Sequence, residues 1–168
     1  AILDQAVKLH SHFWDNELLW SLSWLPPMNN PLYRAAREMA EPKLESFIAK
    51  WSPHVEADTM QWMRELTPKY PDMVDWWVEQ GNATFSHTDF RADNFLFGGS
   101  AGEGVVTVLD FQLSARHVGM WDVANFLGQS VTIENRREWE KTLVRRYFDG
   151  LIAAGVPNYS WERCWRDY

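Results

Sequence analysis

The stretch Ser86-His87-Thr88-Asp89-Phe90-Arg91-Ala92-Asp93-Asn94, followed further on by Asp110-Phe111-Gln112, holds the side chains of this sequence best suited to chemistry. Asp89 and Asn94 stand five residues apart in what reads as a loop, and Asp110 terminates the β-branched apolar run 105–109. A carboxylate and a carboxamide oxygen facing a second carboxylate make a site of hard oxygens, which suits Mg²⁺. A further carboxylate beside such an ion can orient a hydroxyl and accept its proton. Taken singly, each residue has a plainer reading. Asn94 could cap a turn, Asp110 or Asp122 could cap a helix, and a His-x-Asp pair is often a structural hydrogen bond. The joint spacing and the strand before Asp110 favour the chemical reading.

The elements that must position these residues can be read from periodicity and breakers. Residues 2–14 read as a helix with Leu3, Ala6, Val7, His10 and Trp14 on one face. Residues 21–31 are a loop marked by Pro26-Pro27 and Asn29-Asn30-Pro31. Residues 32–51 repeat Leu32, Ala36, Met39, Leu44, Phe47 and Trp51 at helical steps, with Pro42 placed to kink or split the run. Helices over 55–66 and 70–80 follow, separated by Pro68 and Pro71 and closed by Gly81-Asn82. Then the character changes. Residues 83–86 are a strand-like approach to His87, and 94–97 and 105–109 form a small hairpin, the latter a buried strand. Helical periodicity returns over 121–129 and 136–153, and Ser160 can cap a last helix from Trp161. The predicted fold is mainly α: one domain over residues 1–168, a helical lobe with a β-hairpin insertion carrying the polar residues.

Rival sites are weaker. A zinc site from His87, Asp89 and His117 lacks a compact His/Cys cluster, and Cys164 is far away in sequence. A Ser-His-Asp hydrolase would need a Gly-x-Ser-x-Gly elbow, which is not present. His10, His12 and His54 read as surface or core histidines. Trp76-Trp77 and the other tryptophans read as core before they read as a substrate platform, although aromatics of the middle helices could line an acceptor pocket. The glycine-rich run 98–104 precedes a strand, whereas a Walker loop follows one and opens a helix.

Bulk properties narrow the partners. The chain has 168 residues, 46% hydrophobic and 23% charged, in the ordinary range for a globular domain. A formal charge of −7 argues against a nucleic-acid partner and against docking on an anionic membrane. The single cysteine permits no intrachain disulfide and suits a reducing cytoplasm.

The pattern His-x-Asp-x-x-x-x-Asn, an apolar strand and then Asp resembles the catalytic and metal-binding set of kinases. The segments SHTDFRADNFLF, VVTVLDFQLS and GMWDVANFL resemble the aminoglycoside phosphotransferase and choline kinase superfamily, which shares the protein-kinase fold. Within it they look most like the ecdysteroid-kinase-like phosphotransferases, as do the earlier LHSHFWD and WLPP. The likeness covers most of residues 3–150, with its specific part in 86–125.

The resemblance implies that Asp89 is the catalytic base and that Asn94 and Asp110 are the Mg²⁺ ligands. His87 would brace the loop from behind, and Arg91 would sit near the transferring phosphate. Asp122 would stabilise the loop without touching substrate, and Gln112 follows the metal aspartate as in such relatives. It implies ATP as co-substrate, a small-molecule hydroxyl as acceptor, and a nucleotide-binding N-terminal lobe that is absent from this chain and would be its partner. The chain then reads as the C-terminal, acceptor-side lobe, expected to be inactive alone. The alternative is a non-catalytic ligand- or partner-binding module of the same fold.

Overall fold

The computed structural model describes residues 1–98 and 105–168, with the backbone alone at 33, 36 and 37. The chain is mainly helical, and its Cα framework divides into two compact units, 1–26 with 81–168, and 27–80.

The first unit begins with α1 (Ile2–Phe13), whose buried face carries Leu3, Ala6 and His10. Next comes a short helix the periodicity does not announce, α2 (Glu17–Ser21), where Asn16 accepts a hydrogen bond from the Leu19 N–H at 3.0 Å. After the second unit the chain re-enters as β1 (Ala83–Ser86), continues through β2 (Phe95–Phe97) and β3 (Val106–Val108), and forms β4 (Ala115–Val118). Then follow α7 (Met120–Ser130), α8 (Ile133–Ala153) and α9 (Trp161–Asp167). Ser160 caps α9 as expected, accepting from the Arg163 N–H at 3.1 Å.

The β structure is two separate ribbons where the sequence predicts one hairpin. β2 and β3 pair antiparallel, with Phe95 opposite Val108, and β1 pairs antiparallel with β4, Ser86 lying opposite Ala115. β4 reads Ala-Arg-His-Val and carries no run of β-branched residues, so its pairing with β1 has no local signature. The strand over 105–109 is not the buried strand expected: Val106 is buried, but Thr107 is exposed and Val108 half-buried. Only one face of a two-stranded ribbon rests on the core. Of the predicted 98–104 turn, only Gly98 falls among the described residues, with φ 82°.

The core of this unit lies where α1, α7 and α8 meet, around Leu3, Ala6, Met120, Val123, Val144 and Leu151. Phe90 and Phe95 join it, so the polar loop is anchored by apolar residues on both sides of Asn94. Helices α1 and α8 approach so closely that a Cβ on Gly150 would meet Val7 Cγ2 at 2.8 Å.

The second unit contains α3 (Pro31–Ala40), α4 (Leu44–Trp51), α5 (Ala57–Leu66) and α6 (Tyr70–Glu79). Pro42 lies in a 3-10 turn between α3 and α4, and so splits the predicted 32–51 helix. Pro68 occupies a second 3-10 turn, and Pro71 sits in the first turn of α6, where a missing N–H costs nothing. Ion pairs Arg34–Asp75 and Arg64–Glu45 link its helices. Among the described side chains its buried apolar ones are few (Met28, Ile48, Met60 and Val74), whereas Leu32, Met39, Phe47 and Trp51 of the predicted apolar stripe are exposed. No described helix is long and apolar enough to cross a membrane.

Candidate catalytic and metal-binding loop

β1 delivers the chain to His87, and a left-handed residue, Thr88 at φ 64°, turns it so that Asp89 leaves the core. A β-branched residue is unfavourable there, and such a conformation persists only where its surroundings over-determine it. Here they do. The Thr88 N–H donates to Asp122 Oδ1 at 2.8 Å and the Thr88 hydroxyl to the Leu113 carbonyl at 2.6 Å. The Thr88 carbonyl accepts from Asn125 Nδ2 at 2.7 Å and Trp121 Nε1 at 3.3 Å.

Asp122 is the anchor. It lies in the first turn of α7 and is fully buried. One carboxylate oxygen accepts from the Ser86 hydroxyl at 2.8 Å and the Thr88 N–H; the other accepts from the His87 N–H at 2.7 Å and His10 Nε2 at 3.0 Å. Burial pushes the Asp122 carboxyl up. The hydrogen bonds from His10, His87 and Ser86 outweigh that and hold it below the usual carboxylate range.

His87 is buried and holds both ends of the site. Its Nε2 donates to the Leu109 carbonyl at 2.6 Å, and its Nδ1 accepts from the Asp89 N–H at 3.3 Å. A carbonyl can only accept and an N–H can only donate, so these partners define a neutral imidazole protonated at Nε2. One ring thereby ties the backbone of Asp89 to the residue before Asp110. Both nitrogens are thus occupied, which removes His87 from the zinc reading.

Asn94 closes a 3-10 turn (Ala92–Asn94) and is buried. Its Nδ2 donates to the Asp89 carbonyl at 2.8 Å and to Asp89 Oδ2 at 3.0 Å. The Asn94 carbonyl accepts from the Leu109 N–H at 2.9 Å, which continues the β2–β3 register and sets Asp110 just beyond Asn94's partner. Asp110 is exposed, lies in the left-handed region at φ 60°, and accepts from Gln112 Nε2 at 3.3 Å. It precedes a 3-10 turn (Phe111–Leu113) but makes no side-chain cap there, so the plain capping reading does not describe it.

The donor chemistry fits a hard divalent cation. Both protons of the Asn94 amide are used toward Asp89, which turns its Oδ1 away as a free acceptor, and Asp110 presents an exposed carboxylate. Among the described residues no three His, Cys, Asp or Glu side chains gather as a metal cage, so the fit rests on Asn94 and Asp110.

Arg91 pairs with acids on both sides. Its Nε lies 3.1 Å from Asp89 Oδ1 and its Nη1 3.2 Å from Asp93. The Nε contact is an ion pair by distance without hydrogen-bond alignment. Asp89 itself is 26% exposed, reachable from solvent yet partnered on both oxygens.

The structure thus brings His87, Asp89, Arg91 and Asn94 into one cluster, sets Asp110 beside it, and places Asp122 beneath. Sequence reasoning missed Ser86, Thr88, Trp121 and Asn125, and read His10 only as a surface or core histidine. The Asn125 and Trp121 donors sit one helical turn apart on α7, the only local hint available.

A family model described as the phosphotransferase enzyme family matches residues 1–163. No curated protein and no solved structure matches the chain. A match over nearly the whole length, on a mainly helical chain with this loop, settles the family: the chain belongs to the phosphotransferase enzyme family, within the aminoglycoside phosphotransferase and protein-kinase-like superfamily.

Proposed function

We propose that the protein serves ATP-dependent transfer of a phosphoryl group to the hydroxyl of a small molecule, in the cytoplasm, with this chain as the acceptor-side lobe. The observation that carries the reading is the geometry around Asp89. A carboxylate reachable from solvent is fixed through its own backbone by His87 and through its side chain by Asn94, beside the exposed carboxylate of Asp110. Phosphoryl transfer asks little covalent chemistry of a protein; it asks for in-line positioning and neutralised charge. Asp89 would orient the acceptor hydroxyl and take its proton as the oxygen bonds to phosphorus and the bond to ADP breaks. Asn94 and Asp110 would hold Mg²⁺, whose charge offsets that of the phosphates. Arg91 would turn from the two aspartates to the phosphoryl oxygens, adding positive charge where negative charge spreads.

The test is Asp89→Asn in the full-length protein, read as ADP release from Mg·ATP over candidate alcohols. Turnover is expected to fall by about 10³-fold or more, with the thermal unfolding profile retained. Wild-type turnover in the variant would remove Asp89 from the role.

A further inference from the structure

We propose that His10 is a positioning residue for the catalytic loop, held in one tautomer by Tyr147, so that α1 and α8 set the orientation of the carboxylate on which Asp89 depends. The functional half of this claim rests on the phosphotransferase reading; the structural half does not.

A histidine on the apolar face of a helix is ordinarily a satisfied core residue. His10 is satisfied in a particular way. Its Nε2 lies 3.0 Å from Asp122 Oδ2 and its Nδ1 2.7 Å from the Tyr147 hydroxyl, and all three side chains are fully buried. Burial raises the Tyr147 hydroxyl well above its usual range, so it remains a protonated donor. Among the described residues Nδ1 is its hydrogen-bond partner. With Nδ1 accepting, the proton of a neutral ring sits on Nε2, pointed at Asp122.

The direction of that bond matters for the loop. Asp122 takes four donors, two on each oxygen, and three come from the adjoining residues Ser86, His87 and Thr88. Those three belong to the segment being held and would move with it. Among the described residues His10 is the donor from outside that segment, and it ties the carboxylate to α1. The attachment is doubled, because the Thr84 hydroxyl of β1 donates to the His10 carbonyl at 2.8 Å. Gly119, just before α7, makes room for the arrangement: a Cβ there would come within 2.6 Å of the Tyr147 hydroxyl and 2.7 Å of His10 Nδ1. The His10 ring also packs edge-on against Tyr147, with centroids 5.6 Å apart.

Amide hydrogen exchange, followed residue by residue without nucleotide, reads this directly. His10→Leu fills the site without a donor, His10→Gln restores a donor toward Asp122, and Tyr147→Phe removes only the hydroxyl. Exchange at the His87 and Thr88 amides, which bond Asp122, is expected to speed up about tenfold or more in His10→Leu and to return toward wild type in His10→Gln. Tyr147→Phe is expected to raise exchange at the same two amides by a smaller factor, while Val144 and Leu151 of α8 stay protected. Unchanged loop exchange in His10→Leu and Tyr147→Phe, or equal acceleration throughout α8, would overturn the assignment and leave His10 a packing residue. Tyr147→Phe keeps the test decisive if His10→Leu does not fold. In the full-length protein, turnover of Mg·ATP should fall in His10→Leu with KM for ATP held within about twofold. A wild-type protein that transfers no phosphate would reject the proposed function and leave the exchange result standing.

Discussion

The candidate segment 86–94, taken with Asp122 beneath it, and the helical unit 27–80 use their side chains in opposite ways. In the first, polar groups are buried and partnered: Asp122 with four donors, His87 with two partners, Thr88 bonded through its N–H, its carbonyl and its hydroxyl. In the second, apolar groups are open: Leu32 is 69% exposed, Met39 67% and Trp62 60%. Burying a polar group is tolerable only when its hydrogen bonds are replaced, so the first region specifies a single geometry and any one deletion is felt. An exposed apolar side chain has little to lose on truncation. The contrast locates precision in the loop and latitude in the helices.

Substitution and acid both probe that contrast. The largest effect is expected from Asp122→Ala, which leaves the Ser86, His87, Thr88 and His10 donors without their acceptor. It should cost about 3–5 kcal/mol in urea unfolding at constant m. A loss below about 1 kcal/mol would mean that water or a neighbour replaces the carboxylate.

Acid comes next. Burial holds His117 down to about 4, only partly opposed by the Asp122 charge, against 6.5 when unfolded. The folded state therefore refuses a proton that the unfolded chain accepts below pH 6.5. The stabilisation is complete above pH 6.5 and declines as the pH falls toward 4, amounting to about 3 kcal/mol. Unfolding curves of wild type and His117→Phe should diverge across that window, and parallel curves would show that His117 is not desolvated as described.

Thr88→Val removes the hydroxyl and its bond to Leu113 and should cost about 1–2 kcal/mol by thermal or urea unfolding, while lowering turnover. At the small end, Trp62→Ala should change stability by less than about 0.5 kcal/mol. A larger loss there would show that the unit's open apolar surface is covered in solution.

The same contrast explains what the sequence made legible. The helices other than α2 announced themselves because their apolar residues recur and Pro42, Pro68 and Pro71 punctuate them. The stripe over 32–51 nevertheless predicted burial that Leu32 and Met39 do not have, since periodicity reveals a face and not its cover. The loop announced itself through short spacing: Asp89 to Asn94 is local, and Asp110 follows one hairpin later. Its supports were illegible because they are distant. His10 meets Asp122 across 112 positions and Tyr147 across 137, and although the helical period sets it on the face with Leu3, Ala6 and Trp14, nothing local names its partners there. β4 was hidden for a different reason, since Arg116 and His117 break any apolar alternation and only the pairing with β1 makes it a strand.

The most direct test of the central claim is calorimetric titration of the full-length protein with ATP, with and without Mg²⁺, in wild type and in Asp110→Ala. The account predicts Mg²⁺-dependent binding that Asp110→Ala weakens by about tenfold or more, with only a small fall in unfolding temperature, because Asp110 is exposed and its left-handed backbone is all that alanine strains. Binding that ignores both Mg²⁺ and Asp110, or no binding at all, would contradict the account and return the loop to a non-catalytic module of the same family.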